Sequence, residues 1–205
     1  MTVGASDSNP IFLGIGNPLL DLSITVTDQS LHEKYGLKTD DAILANDSQM
    51  ALYDDVLNHP SVQLITGGAT LNSMKMIQWL SKKPGTASFF GAIGTDKFGQ
   101  KLKSTCDEVG LKTVFQECPD FDTGKCAVLI KEHERSLVTH LGAAQQFRLK
   151  NMTDEMWEIA KNASIFYIAV SFSLYSDRSL ILFAPLKSLI SIWGLDIYEP
   201  QQILA

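Results

Sequence analysis

The chain has 205 residues, of which 45% are hydrophobic and 20% are charged, and its net charge is −6. This length fits one ordinary domain, or one with a small appendage. The composition excludes wholesale disorder and collagen-like or coiled-coil architecture, and the acidic balance argues against a nucleic-acid partner.

In the first half of the chain, short apolar runs alternate with helical patterns and turn residues. Leu71, Met74, Ile77 and Leu80 recur at helical spacing after Gly67-Gly68, and Pro84-Gly85 ends that pattern. The predicted strands are residues 11–16, 22–26, 42–46 and 62–66. The predicted helices are one turn over Ser30–Gly36, residues 47–58 capped by Asp47 or Ser48, and a helix that begins at Ala69 or Thr70.

In the second half, residues 87–93 read as a strand and residues 98–109 as a helix. Alternation of strand and helix predicts a parallel sheet, in which we place residues 11–15, 62–66, 87–93 and 164–170. Residues 124–141 instead show two β-rich runs around a polar turn, which predicts a separate antiparallel layer acting as a small lid. Thr153 is the predicted cap of a further helix.

The cysteines and the two ends of the chain bear on location. Cys106, Cys118 and Cys126 form no C-x-x-C pair, which favours a reducing compartment. Residues 1–10 lack the features of a signal peptide. Residues 179–198 are rich in apolar side chains but are interrupted by Pro185 and Lys187, which argues against a membrane span. We therefore expect a cytoplasmic protein, with the nucleus open as an additional location, and no membrane partner.

Five ordered segments carry a resemblance to a known family. They are Gly16–Asp21 (GNPLLD), Gly67–Ser73 (GGATLNS), Phe90–Gly99 (FGAIGTDKFG), Thr123–Ala127 (TGKCA), and Arg135–Leu137 with Leu141–Ala144 (RSL and LGAA). In order and spacing they resemble the ribokinase family of sugar and nucleoside kinases and, within it, the adenosine kinases, over residues 11–174. The resemblance implies a ribokinase-like three-layer α/β fold with a small β lid.

The resemblance also implies roles for individual residues. Asp21 would accept hydrogen bonds from both ribose hydroxyls, and Gly67, Gly68 and Asn72 would approach the ribose. Asn17 would make a further contact to the base or the ribose. Arg135 would assist the transferring phosphate. The purine would lie among Leu44, Cys126, Leu137, Leu141 and Phe172.

Each of these residues also has an ordinary structural interpretation. Asp21 suits a turn or a helix cap, Gly67-Gly68 a tight strand-to-helix turn, and Asn17 an Asx-turn before Pro18. The five purine-lining residues suit a simple core, and Arg135 suits a solvated charge. These readings stay open from the residues alone.

Members of the family carry their general base and phosphate-binding turn in a later Asp-Thr-x-Gly-Ala-Gly-Asp segment, which these 205 residues do not contain. We therefore expect a C-terminally truncated form, with residues 1–174 as the nucleoside-binding part and 175–205 as a divergent apolar tail. Lid strands are expected from about 22–46 and 124–141. The implied reaction is ATP-dependent phosphorylation of adenosine to AMP with Mg²⁺, by a monomer. The alternative is a non-catalytic nucleoside-binding or interaction protein.

Overall fold

The computed structural model of the chain describes residues 11–169. The strands are β1 (Phe12–Ile15), β2 (Leu19–Thr25), β3 (Ala42–Leu44), β4 (Gln63–Gly67), β5 (Ala87–Ile93), β6 (Lys112–Glu117), β7 (Lys125–Lys131), β8 (Glu134–His140) and β9 (Ile165–Ile168). The helices are α1 (Ser30–Tyr35), α2 (Leu52–Leu57), α3 (Ala69–Ser81), α4 (Lys97–Glu108) and α5 (Asp154–Asn162). The predicted boundary at residue 174 and the apolar run over 179–198 lie outside the described residues.

Four parallel strands form the first sheet, in the order β6-β5-β1-β9. β5 is buried along its whole length, as a central strand covered on both faces must be. On one face, Met74 of α3 shares a core with Phe89. On the other face, Met156 of α5 shares a core with Phe90. Helices therefore cover both faces, which confirms the three-layer α/β arrangement.

Five strands form the second sheet, in the order β3-β8-β7-β2-β4. β7 and β8 make the predicted hairpin, and β2 runs parallel to β7 and antiparallel to β4. Leu20, Leu22 and Ile24 alternate along β2 and are buried on one face, where Tyr53 and Val56 of α2 belong to the same core. The residues between them point to the opposite face, which we call the front face.

The prediction that residues 62–66 lie in the parallel sheet is wrong. β4 pairs antiparallel with β2 at the edge of the second sheet. Leu64 and Ile65 are 40% and 48% exposed, so this apolar run is an edge strand and not a central one. A short apolar run reveals that a strand exists, but not which sheet it joins.

Two local assignments also change. β6, which pairs with β5, was not predicted, because its sequence KTVFQE mixes charged and apolar residues at the sheet edge. Residues 47–58 are not one helix, since a 3₁₀ turn over Asp47–Gln49 precedes α2. The cap is Asn46, whose side chain accepts a hydrogen bond from the backbone N–H of Ser48. Thr153 caps α5 as predicted.

Asp96 ties the two sheets together. Its Oδ1 accepts the backbone N–H groups of Phe98 and Gly99, at 3.0 and 2.9 Å, and so caps α4. The same carboxylate accepts hydrogen bonds from the Oγ1 hydroxyl and the backbone N–H of Thr123, at 2.7 and 2.9 Å. Thr123 lies just before β7, so this contact fixes the second sheet to the turn that follows β5. Burial raises the pKa of Asp96, but these hydrogen bonds together lower it below its usual value.

No helix within residues 11–169 is both long enough and apolar enough to cross a bilayer.

Replacing Asp96 tests this connection. Because Asp96→Ala removes four hydrogen bonds to a charged group, we expect it to lower the free energy of unfolding by about 2–4 kcal/mol at pH 7. The exposed Glu108→Ala, on the same helix, should change it by less than about 0.5 kcal/mol. Urea denaturation measures both. The lowered pKa of Asp96 means that its contribution should fade as pH falls below 3.8. Equal stability of the two variants would contradict this role.

Candidate functional site

The register of the second sheet brings predicted site residues into one row. Directly paired residues on neighbouring strands point to the same face of a sheet. Leu44 pairs with Thr139, Thr139 with Cys126, Cys126 with Asp21, and Asp21 with Ile65. All five therefore lie side by side across the front face. Three strand spacings separate Leu44 from Asp21, a distance of about 14 Å.

The same alternation places two further predicted residues on the front face. Leu137 and Arg135 lie two and four positions before Thr139 on β8, so their side chains point the same way. Arg135 is exposed and lies near the hairpin turn. Its guanidinium nevertheless acts electrostatically on both Asp21 and Cys126. The front face thus combines an apolar side, a carboxylate and a cation.

The carboxylate of Asp21 is a free acceptor in a partly buried position. Among residues 11–169, no donor forms a hydrogen bond with it. Burial raises its pKa from 3.8 to about 6, although the charge of Arg135 acts in the opposite direction. A raised pKa in a group without a structural partner is typical of functional sites.

Two glycines make room beside Asp21. A side chain at Gly67 would collide with the Asp21 carboxylate, so only glycine leaves that carboxylate in place. Gly68 has a φ of +96°, and a Cβ there would collide with the backbone oxygen of Asn17. The loop between β1 and β2 therefore packs directly on the start of α3.

Polar atoms without partners gather at this loop. The Oδ1 of Asn17 and the Oγ1 of Thr70 are buried and have no hydrogen-bond partner within the described residues. Buried polar atoms are nearly always paired in folded proteins, so a ligand group is a natural partner for them. Asn72 lies in the first turn of α3, where its N–H donates to the carbonyl of Gly68 at 2.9 Å and its side chain is exposed.

A cavity of about 440 Å³ lies at the Leu44 end of the row. Its walls include two predicted residues, Leu44 and Leu141, and also Thr139 of the row. The remaining lining residues are Ala45, Asp120, Phe121, Asp122, His140, Gly142, Gln145 and Gln146. A cleft of this size whose walls combine apolar side chains with carboxylate, amide, imidazole and hydroxyl groups can hold a small molecule that has both apolar and polar parts.

The structure therefore brings together most of the predicted set. Asp21, Gly67, Gly68 and Asn17 meet at one end of the row, and Leu44, Cys126, Leu137 and Leu141 lie along it or beside it. Phe172 lies outside the described residues. Thr139 was not predicted, although it follows Leu137 and precedes Leu141 by two positions. The period-two alternation alone would have placed it on the same face.

The described residues do not fit a metal site. Within residues 11–169, no group of three or more His, Cys, Asp or Glu side chains could hold a metal ion.

Known proteins resemble this chain over most of its length. Residues 29–184 match the family described as pfkB family carbohydrate kinase. Adenosine kinase 1 of Arabidopsis thaliana is 38% identical over 181 residues, which cover 88% of this chain and 52% of that protein.

Solved structures show the same fold. One is adenosine kinase from Schistosoma mansoni in complex with adenosine and AMP, with a TM-score of 0.74 and 38% identity over 82% of this chain and 50% of that one. Another is Anopheles gambiae adenosine kinase in complex with P1,P4-di(adenosine-5) tetraphosphate, with a TM-score of 0.79 and 31% identity over 85% of this chain and 52% of that one. The chain spans about half the length of these relatives.

Asp21→Asn tests whether the Asp21 carboxylate contributes to the stability of the fold. Because the buried carboxylate is held at a raised pKa, we expect the variant to be more stable than the parent by up to about 2 kcal/mol at pH 8. The difference should be largest above pH 6 and should vanish below pH 3.8, where the carboxyl is neutral in both the folded and the unfolded state. Thermal unfolding across this pH range measures it, with Asp54→Asn on the surface of α2 as the control. Destabilisation at pH 8 would show that Asp21 is a structural residue.

Proposed function

Because this chain belongs to the pfkB family of carbohydrate kinases, we propose that its front face binds adenosine as the acceptor for a phosphoryl group. The observation that supports this most directly is the row from Leu44 to Asp21. It ends on one side in a carboxylate that no donor within residues 11–169 engages, and on the other in a cavity with both apolar and polar walls. A nucleoside has the matching chemistry, with two hydroxyls on its sugar and a flat, largely apolar base.

The ribose is proposed to lie at the Asp21 end. Two neighbouring hydroxyl groups can both donate to one carboxylate, and such charge-assisted bonds are stronger than neutral ones. Gly67 and Gly68 let the sugar approach the backbone, and Asn72 and Asn17 offer amide groups nearby. Holding the ribose in this way fixes the orientation of its remaining hydroxyl, which is the group to be phosphorylated.

The adenine is proposed to lie along the rest of the row. Leu44, Cys126, Leu137 and Leu141 offer the soft, apolar contacts that a purine face requires. Leu44 is 39% exposed, so apolar surface is available to a ligand there. We also retain Phe172 as a purine contact on the strength of the resemblance alone.

Arg135 is proposed to assist the phosphoryl group. A guanidinium is permanently charged, and its planar fork suits the oxygens of a phosphoryl group in transfer. Arg135 acts electrostatically on Asp21, so its charge is close enough to the sugar end of the row to serve there.

The full reaction proposed is that of the adenosine kinases, in which ATP phosphorylates adenosine to AMP. ATP is the co-substrate, and Mg²⁺ would neutralise its phosphate charge. Within residues 11–169, no group of three or more His, Cys, Asp or Glu side chains could hold the ion without help from the ATP phosphates. We further propose a monomer located in the cytoplasm, with the nucleus as an additional location, in line with the free cysteines Cys106, Cys118 and Cys126.

Gly67→Ala tests the ribose end of the proposal. A methyl group at this position would displace the Asp21 carboxylate, so the affinity for adenosine should fall at least about tenfold, by the loss of charge-assisted hydrogen bonds. Isothermal titration calorimetry with the 205-residue chain measures the affinity. Gln63→Ala, which is exposed on the same strand, is the control and should bind as the parent does. Equal affinities of Gly67→Ala and the parent would contradict this placement.

Phosphoryl transfer by the 205 residues alone is expected to be undetectable. A general base contributes about 10²–10⁴-fold to rate, and an electrostatic donor about 10²–10³-fold. The two losses need not multiply, but the sequence contains no Gly-Ala-Gly-Asp segment to supply either. Transfer of labelled phosphate from ATP measures the rate, beside a full-length relative and the Asp21→Ala variant.

The outcome of that assay separates the two functional alternatives. Turnover that Asp21→Ala abolishes would show that a base and a phosphate site exist in this chain, and would make it an enzyme in its own right. Adenosine binding without turnover would favour the non-catalytic nucleoside-binding alternative.

A further inference from the structure

Thr139 bears a hydroxyl group in a stretch of the front face that is otherwise formed by Leu44, Cys126 and Leu137. It pairs with Leu44 on one side and with Cys126 on the other. It lies two positions after Leu137 on β8 and two positions before Leu141, which follows the strand, and it lines the cavity of about 440 Å³. Its hydroxyl is therefore the polar group that a ligand meets midway along the row.

The hydroxyl proton of Thr139 is already engaged. Its Oγ1 donates to the Sγ of Cys126 at 3.3 Å, and that thiol donates in turn to the carbonyl of Ala127 at 3.8 Å. Burial raises the pKa of Cys126 to about 11, so the thiol keeps its proton at neutral pH and continues the chain. With its proton directed towards Cys126, Thr139 presents oxygen lone pairs to other partners.

The position of Thr139 matches one edge of a bound base. It lies two strand spacings from Asp21 along the row, about 10 Å. If the ribose hydroxyls donate hydrogen bonds to Asp21, as the proposed function requires, the base extends along the row towards Leu44. The substituent on carbon six of a purine projects from the ring remote from the sugar, and so reaches the neighbourhood of Thr139.

From this arrangement we infer that Thr139 is a specificity-determining residue that selects purine nucleosides with an amino group at position six. The amino N–H donates to the Thr139 oxygen. A keto group at the same position places one acceptor against another, unless Thr139 turns its proton away from Cys126. Sites built to hydrogen-bond a substrate group reject analogues that lack it.

The test compares three nucleosides by isothermal titration calorimetry on the 205-residue chain. Adenosine carries the amino group, inosine carries a keto group, and purine riboside carries neither. The parent should prefer adenosine over purine riboside by about tenfold, the value of one hydrogen bond. In Thr139→Val, which keeps the shape and removes the hydroxyl, this preference should fall to within about twofold. Thr139→Ser keeps the hydroxyl and should retain most of it.

A second variant tests the direction of the proton. Cys126→Ala removes the acceptor of the Thr139 proton, so the hydroxyl becomes free to donate to a keto group. Inosine should therefore bind more tightly than it does to the parent, and the ratio of adenosine to inosine affinity should fall severalfold. Thr139→Val has no hydroxyl to donate, so its affinity for inosine should not rise in this way.

Three outcomes are distinguishable. An unchanged ratio of adenosine to purine riboside affinity in Thr139→Val overturns the inference but leaves the proposed function intact. An unchanged ratio of adenosine to inosine affinity in Cys126→Ala overturns the proton direction on which the selectivity depends. Failure of the parent to bind any of the three nucleosides overturns the proposed function and the inference together.

Discussion

The parallel pairing of β2 with β7 is the constraint on which the candidate site depends. It sets Asp21 beside Cys126, and the hairpin pairing of β7 with β8 then sets Cys126 beside Thr139. A slip of one residue would turn the carboxylate into the core and expose Leu20 or Leu22 instead. The burial of those leucines against α2 therefore holds the register. Packing on the buried face of the second sheet therefore determines which side chains lie on the front face.

The site also contains features that do not serve stability. Within the part of the chain that the structure describes, the partly buried carboxylate of Asp21 has no hydrogen-bond donor, and the buried side-chain oxygens of Asn17 and Thr70 have no partner. Gly67 and Gly68 give up side-chain packing to leave space beside them. Unsatisfied groups of this kind are expected where a ligand completes the structure, since they would otherwise only weaken the fold. By contrast, both carboxylate oxygens of Asp96 accept hydrogen bonds, which is in keeping with a structural role.

Much of the architecture could be predicted from the sequence, because local signals determine it. The βαβ alternation indicated the parallel sheet, and the polar turn between two β-rich runs indicated the β7–β8 hairpin. The sheet to which residues 62–66 belong could not be predicted, since pairing across a sheet is a long-range property. β6 was missed because an edge strand needs little apolar character. Thr139 could have been predicted from the residues, since the period-two alternation along β8 places it on the same face as Leu137.

The most direct measurement is the mapping of adenosine-induced chemical-shift changes on the isotopically labelled chain by NMR. If the nucleoside lies along the row, the largest changes will fall on the amides of β2, on the first half of β7, on the second half of β8, and around Gly67 and Gly68. The amides of β6 and α5, which lie in the first sheet and its outer layer, should stay unchanged. Changes confined to the first sheet, or no changes at saturating adenosine, would contradict the account.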